Sequence, residues 1–165
     1  ETGAPGQGIV TSAPYQALIL APGFSVGVRC DEYEIHAIEY LEPRAETAPT
    51  NGVAHEAVRQ LKAYLTDADF AFELPLRPSG TAFQRRVWEQ ISAIPNHQTR
   101  TYGELAIALR NAPRAVGQAC GANPFPLIVP CHRVIAAGGG LGGFSRQRGG
   151  FLLDIKGWLL AHEGR

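Results

Sequence analysis

The sequence predicts an α+β protein: a small N-terminal antiparallel sheet with helix cover, then a mainly helical C-terminal domain containing a helix-turn-helix. Three observations point there. Short runs rich in β-formers occupy the first forty residues, apolar spacing turns helical after residue 50, and the sign of the charge reverses near residue 76. Residues 1–76 carry four basic and eleven acidic groups, a net −7, whereas residues 77–165 carry eleven basic and four acidic, a net +7. The expected units are therefore 1–76, structural, and 77–165, functional, joined through Pro75–Gly80.

Val10–Leu20, Ser25–Arg29 and Glu34–Leu41 read as strands separated by Ala21-Pro22-Gly23 and an acidic turn at Asp31 and Glu32. Val58, Leu61 and Leu65 recur at helical spacing within Val53–Leu65, with Thr50-Asn51 as the cap. Phe70, Phe72 and Leu74 alternate and predict one more short strand before Pro75. In the second half, Thr81 and Gln84 form a capping box ahead of the stripe Phe83, Val87 and Ile91. Tyr102, Leu105, Ala106 and Leu109 mark a second helix, and Pro113 opens a third that runs to Gly121. Two short helices joined by a tight turn make a helix-turn-helix candidate, although ordinary core helices also pair this way. Ala115, Gly117, Ala119 and Gly121 leave the third helix with little side chain beyond Arg114 and Gln118. That composition suits either tight helix packing or a close approach to DNA through shape and the minor groove.

No apolar run approaches the ~20 residues of a membrane-spanning helix, so no membrane partner is expected. Three cysteines, Cys30, Cys120 and Cys131, cannot pair completely, which favours free thiols in a reducing, cytoplasmic setting. Ten of the eleven cations after residue 76 are arginines, the residue best suited to phosphates and stacked bases. The glycines of 138–150 lack the lysine or strand context of a nucleotide-binding loop, and no cofactor is expected. Zinc held by Cys120, Cys131 and His132 is a weaker reading, because no paired metal-ligand spacing supplies four donors, and no metal is expected.

Leu127-Ile128-Val129 predicts a buried strand that delivers Pro130-Cys131-His132-Arg133-Val134. A rigidly held cysteine beside His132 and Arg133 is a candidate nucleophile, with local positive charge favouring the thiolate. Cooperation between Cys131 and His132 needs an intervening turn or a bridging water, since strand neighbours point to opposite faces.

The segment Pro130–Val134 resembles the active-site signature of the O6-alkylguanine-DNA alkyltransferases, or methylated-DNA–protein-cysteine methyltransferases. Thr81-Ala82-Phe83-Gln84, Val87-Trp88, Ile94-Pro95, Thr101–Ala106, Arg114–Gly117, Asn123-Pro124 and Trp158–Gly164 resemble the family's C-terminal domain in order and spacing. The resemblance implies that Cys131 takes an alkyl group from O6 of guanine in double-stranded DNA, irreversibly and once per molecule, after base flipping. It implies His132 as base through water, Glu163 as its carboxylate partner, and Asn123 as the residue fixing the turn at Cys131. Tyr102 would crowd a phosphate and donate to guanine N3, while Arg114 would fill the stack. Ala115, Gln118 and Arg133 join the expected DNA contacts. Val134, Ser145 and Phe144, the last where a tyrosine often stands, join the base pocket. Arg146 and Arg148 are offered to phosphate. A monomer, cooperative or not on DNA, is expected. Two other classes fit some of these residues: a lesion-binding sensor, and a thiol hydrolase using Cys131, His132 and Glu163. The basic half and the Arg114 helix argue against the hydrolase, and cysteine at 131 argues against a purely non-repairing binder.

Overall fold

The structure is a computed structural model that describes residues 14–140 and 150–164. Strands β1 (Ala17–Ala21), β2 (Phe24–Cys30) and β3 (Ile35–Leu41) form an antiparallel meander, with Ala17 opposite Val28 and Val28 opposite Ile38. The part of Val10–Leu20 before residue 14 lies outside the described residues. The central strand is buried along both faces. Helix α1 (Gly52–Thr66) lies against the sheet with Ala54, Ala57, Leu61 and Tyr64 inward, and Asn51 caps it by accepting from the Ala54 amide at 2.8 Å.

Helices α2 (Ala82–Ser92) and α3 (Tyr102–Leu109) each start with a capping box, Thr81 with Gln84 and Thr101 with Glu104. The second box was not foreseen. Arg110 closes α3 in the left-handed conformation, and α4 (Pro113–Gly121) follows with proline in its first turn. This α3–turn–α4 unit is the expected helix-turn-helix. Strands β4 (Arg100–Thr101) and β5 (Val134–Ile135) pair in parallel, and α5 (Phe151–His162) closes the chain. One continuous buried cluster runs through both halves, from Ala17 to Leu159. The sheet meets the C-terminal half at an edge-on contact between Phe24 and Trp158 and at the bond from the Ile38 amide to the Pro124 carbonyl, 2.9 Å. Among the described residues no helix is long and apolar enough to cross a membrane.

Two expected strands are not formed. Phe70, Phe72 and Leu74 do alternate, but only Leu76 makes a bridge, to Ile35. The side chain of Gln60 takes the place of a neighbouring strand: its Oε1 accepts from the Glu73 amide at 2.8 Å and its Nε2 donates to the Glu73 carbonyl at 2.9 Å. The alternation records aromatic packing instead, Phe70 on Phe72 and Phe72 on Tyr64. Leu127–Val129 forms turns, because Pro126 and Pro130 flank it without amide donors and Leu127 is left-handed at φ 75°.

Gly80 leads into α2 at φ 86°, and a Cβ there would lie 2.6 Å from the Trp88 ring. Trp88 in turn donates to the Ala119 carbonyl of α4 at 2.9 Å. Gly80→Ala is expected to cost about 1–2 kcal/mol from the backbone alone, with a further loss as Trp88 gives way. A lowered urea midpoint with unchanged slope checks this.

Candidate active site

Asn123 builds the turn that holds Cys131. Its Oδ1 accepts from the Phe125 amide at 2.9 Å, and its Nδ2 reaches the Val129 carbonyl at 2.9 Å and the Cys131 sulfur at 3.2 Å. Cys131–Arg133 is a single 3-10 turn, and the Arg133 amide bonds to the Pro130 carbonyl. That turn is what lets adjacent Cys131 and His132 serve one site. Next in the chain, β5 pairs with β4, with Arg100 opposite Val134, which brings Tyr102 at the head of α3 alongside the same segment.

Behind the turn lies a buried carboxylate. Glu163, fully buried at the end of α5, accepts from His132 Nε2 at 2.8 Å and Tyr64 Oη at 2.6 Å, both on Oε2. Arg133 forks onto it, Nε to Oε1 at 2.9 Å and Nη2 to Oε2 at 3.0 Å. Burial alone would raise the Glu163 pKa, but the His132 and Arg133 hydrogen bonds outweigh it and hold the carboxyl well below the usual range. His132 is buried, and that burial, only partly opposed by Glu163, lowers its pKa, so the ring is neutral at neutral pH. Its Nδ1 is buried without a hydrogen-bond partner among the described residues.

Cys131 is buried, at 4% exposure. Its thiol is pushed well above the ordinary pKa, first by the neighbouring Cys120 side chain and then by burial, with Asn123 and Lys156 acting the other way. This corrects the expectation of a resting thiolate: Arg133 spends its charge on Glu163, and His132 is uncharged. Two neighbours have no role in the alkyl-transfer resemblance. Cys120 lies against the candidate nucleophile. Lys156 is fully buried on α5, its Nζ 5.7 Å from the centre of the Tyr102 ring, and burial lowers its pKa to about 8. The signal was present: Lys156 is the one lysine among the cations of residues 77–165, set between Ile155 and Leu159 on an apolar stripe.

A family model described as the DNA binding domain of 6-O-methylguanine DNA methyltransferase matches residues 82–165. A methylated-DNA–protein-cysteine methyltransferase of Methanosarcina acetivorans is 39% identical over 158 residues, covering 91% of this chain and 98% of the relative. The chain belongs to this methyltransferase family. A relative of the same name from Mycobacterium tuberculosis is 45% identical over 123 residues, 71% of this chain and 73% of that protein. The crystal structure of the M. tuberculosis O6-methylguanine methyltransferase superposes with a TM-score of 0.72 at 36% identity, covering 88% of this chain and 90% of that one. The M. tuberculosis OGT in complex with DNA gives 0.73 at the same identity and coverage.

The other residues singled out in the sequence divide into four groups. Arg114 and Gln118 are exposed on α4, with Ala115 half-buried beside them. A Cβ on Gly117 would meet nothing within 4 Å, so this glycine is not there for tight helix packing. Arg133 is corrected from DNA contact to structural ion pair: it is 13% exposed, tied to Glu163, and donates to the Ile94 carbonyl at 2.9 Å. Val134 is fully buried directly after the Cys131 turn. Phe144, Ser145, Arg146 and Arg148 lie outside the described residues. The zinc alternative is disfavoured by geometry, since His132 Nε2 is spent on Glu163 and Cys120, Cys131 and His132 do not form a cluster of converging donor atoms among the described residues.

Replacing Glu163 by Gln leaves the half-buried Arg133 charge uncompensated, with an expected loss of about 3–5 kcal/mol. The sign with pH follows from the depressed pKa. The carboxylate adds stability that is present above the ordinary carboxylate range and lost as pH falls toward the lower folded value. Denaturation curves are therefore expected to show the gap between parent and Glu163→Gln narrowing below that range.

Proposed function

We propose that this protein repairs DNA by transferring the alkyl group of O6-alkylguanine in duplex DNA to Cys131, irreversibly and once per molecule. The observation that carries the reading is one arrangement: a cysteine held by Asn123 at 3.2 Å on the same turn as a histidine bonded to a buried carboxylate at 2.8 Å. The DNA complex of the M. tuberculosis relative and the basic character of residues 77–165 support DNA as the partner.

In this mechanism the Cys131 sulfur attacks the alkyl carbon in line, a C–S bond forms, and the C–O bond gives its electron pair to guanine O6. The Cys131 proton passes through a bridging water to His132 Nδ1, the ring nitrogen left open while Nε2 faces Glu163. Because the resting sulfur is a thiol, proton removal is coupled to substrate arrival. Tyr102 donates to the departing guanine as charge builds on it, with the Lys156 ammonium close to its ring. Val134 and, by resemblance, Ser145 and Phe144 line the base pocket, and Arg114 fills the stack the guanine leaves. The S-alkylcysteine offers water no leaving group, so the protein is consumed. The exposed, side-chain-poor face of α4 supports minor-groove approach by Ala115, Gln118 and Arg114. A lesion sensor would need neither a nucleophile nor the proton path behind it, and a hydrolase would need a thiol ester that water can open.

Incubation with an oligonucleotide carrying O6-methylguanine is expected to add one methyl to Cys131 by intact mass, and none to Cys131→Ser. Product formation beyond one equivalent would identify a hydrolase instead. Arg114→Ala is expected to slow transfer from duplex DNA about tenfold or more, since extruding the base costs a few kcal/mol, while transfer from free O6-benzylguanine stays near the parent rate. Equal slowing on both substrates would count against the stack-filling role.

A further inference from the structure

The N-terminal half reaches into the site through Tyr64, and nothing in the alkyl-transfer chemistry accounts for it. Tyr64 sits on α1, 99 residues from Glu163, and its hydroxyl donates to Glu163 Oε2 at 2.6 Å. That oxygen is the one that faces His132 Nε2 at 2.8 Å. Both ends of Tyr64 are fixed: its carbonyl accepts from His162 Nε2 at 2.7 Å, and its ring packs edge-on against the His162 ring. On the far side of Glu163, its own carbonyl is taken by His97 Nδ1, while His97 Nε2 is 2.6 Å from Asp69.

Packing alone does not call for a hydroxyl here. The inward face of α1 is otherwise mainly apolar, Ala54, Ala57 and Leu61, and Phe72 lies against the Tyr64 ring, so phenylalanine would fill the same space. A buried hydroxyl costs free energy unless it is bonded to good effect. Its effect here is electrostatic. A donor on Oε2 draws off part of the negative charge that would otherwise hold a proton on the imidazole. Burial, and then Glu163 itself, keep the Tyr64 hydroxyl protonated far above neutral pH, so it acts as a donor throughout the working range.

We propose that Tyr64 is a positioning residue of the transfer site, whose hydroxyl shares the Glu163 carboxylate with His132 and so sets how readily His132 accepts the Cys131 proton. The other ionisable groups facing this cluster are Arg133 on the carboxylate, Lys156 of α5 acting on His132, Tyr40 of β3 facing Cys131 and Glu163, and Cys120 beside Cys131. Of the donors on Oε2, Tyr64 comes from the N-terminal half and His132 and Arg133 from the C-terminal half. The inference rests on the alkyl-transfer reading for its consequence in rate, though not for its consequence in His132 protonation.

The test is Tyr64→Phe, with 3-fluorotyrosine placed at position 64 as a stronger donor of nearly the same shape. Two quantities are read: the acidic limb of the single-turnover rate on methylated oligonucleotide, and the His132 ring nitrogen shifts across the same pH range. Losing the donor strengthens the pull of Glu163 on the imidazolium, so in Tyr64→Phe both midpoints are expected to rise, by about half to one pH unit. Fluorotyrosine is expected to lower them. Midpoints unmoved in the fluorotyrosine protein, or reduced stability in Tyr64→Phe with unmoved midpoints, overturn the proposal and leave Tyr64 a packing residue. Should Tyr64→Phe not fold, the fluorotyrosine protein decides alone. If the parent takes up no methyl, alkyl transfer fails, while the ring nitrogen shifts still decide the role of Tyr64.

Discussion

A buried anion organises this molecule. Taking the Glu163 carboxylate out of water is expensive, and the cost is offset only if several donors converge on it with good geometry. They come from separate parts of the chain: Tyr64 from α1, and His132 and Arg133 from the 3-10 turn. Arg133 also ties the cluster to the end of α2 through the Ile94 carbonyl. The carboxylate can be satisfied only when sheet cover, turn and final helix have all docked. One interaction thus links fold and site, and a two-unit reading of the chain has to accommodate a carboxylate of the candidate site bonded to the first unit.

The same burial governs the nucleophile. Cys131 is crowded by a second sulfur and shielded from water, so its proton stays on at rest. The groups that oppose this, Asn123 and the Lys156 ammonium, are already in place. In the proposed mechanism the neutral His132 supplies the remaining pull, through the bridging water, once the alkylated guanine is in place. A thiol that can be used only once gains from being a poor nucleophile until its substrate arrives, because a resting thiolate is open to oxidants and stray electrophiles.

The sequence was most legible where local chemistry decides the structure. Asn51 and Thr81 mark helix starts because their side chains accept first-turn amides, and Pro113 because it lacks an amide N–H and holds a helical φ; all three mark real ones. Alternation misled at Phe70–Leu74 and a β-branched run misled at Leu127–Val129, because neither pattern says whether a partner strand exists. The Gln60 amide answered that in the first case, and flanking prolines with a left-handed Leu127 in the second. Cys131, His132, Asn123 and Glu163 were found by motif and do come together. Arg133 was misassigned because an arginine beside a nucleophile looks the same in sequence whether its partner is a phosphate or a carboxylate thirty residues away. Tyr64 was out of reach for a stronger reason. A tyrosine on the inward stripe of a helix has the periodicity of core, and its hydroxyl acquires meaning only from an end of the chain that local reasoning cannot bring to it.

The face of α4 fits the task of searching for lesions. A protein reading a particular sequence needs several polar side chains in the major groove, each discriminating between base pairs. Here the helix presents Arg114 and Gln118 around a glycine whose missing side chain opens to solvent. Such a surface can press close to the sugar-phosphate backbone without preferring one base pair over another. An alkylated guanine occurs in any sequence context, so strong base-specific contacts would trap the protein at undamaged sites. In the proposed mechanism, what separates lesion from normal guanine is the chemistry at Cys131, and the helix need only bring duplex DNA to it. On that reading, low information content on α4 and high geometric order around Glu163 divide the work between finding DNA and recognising damage.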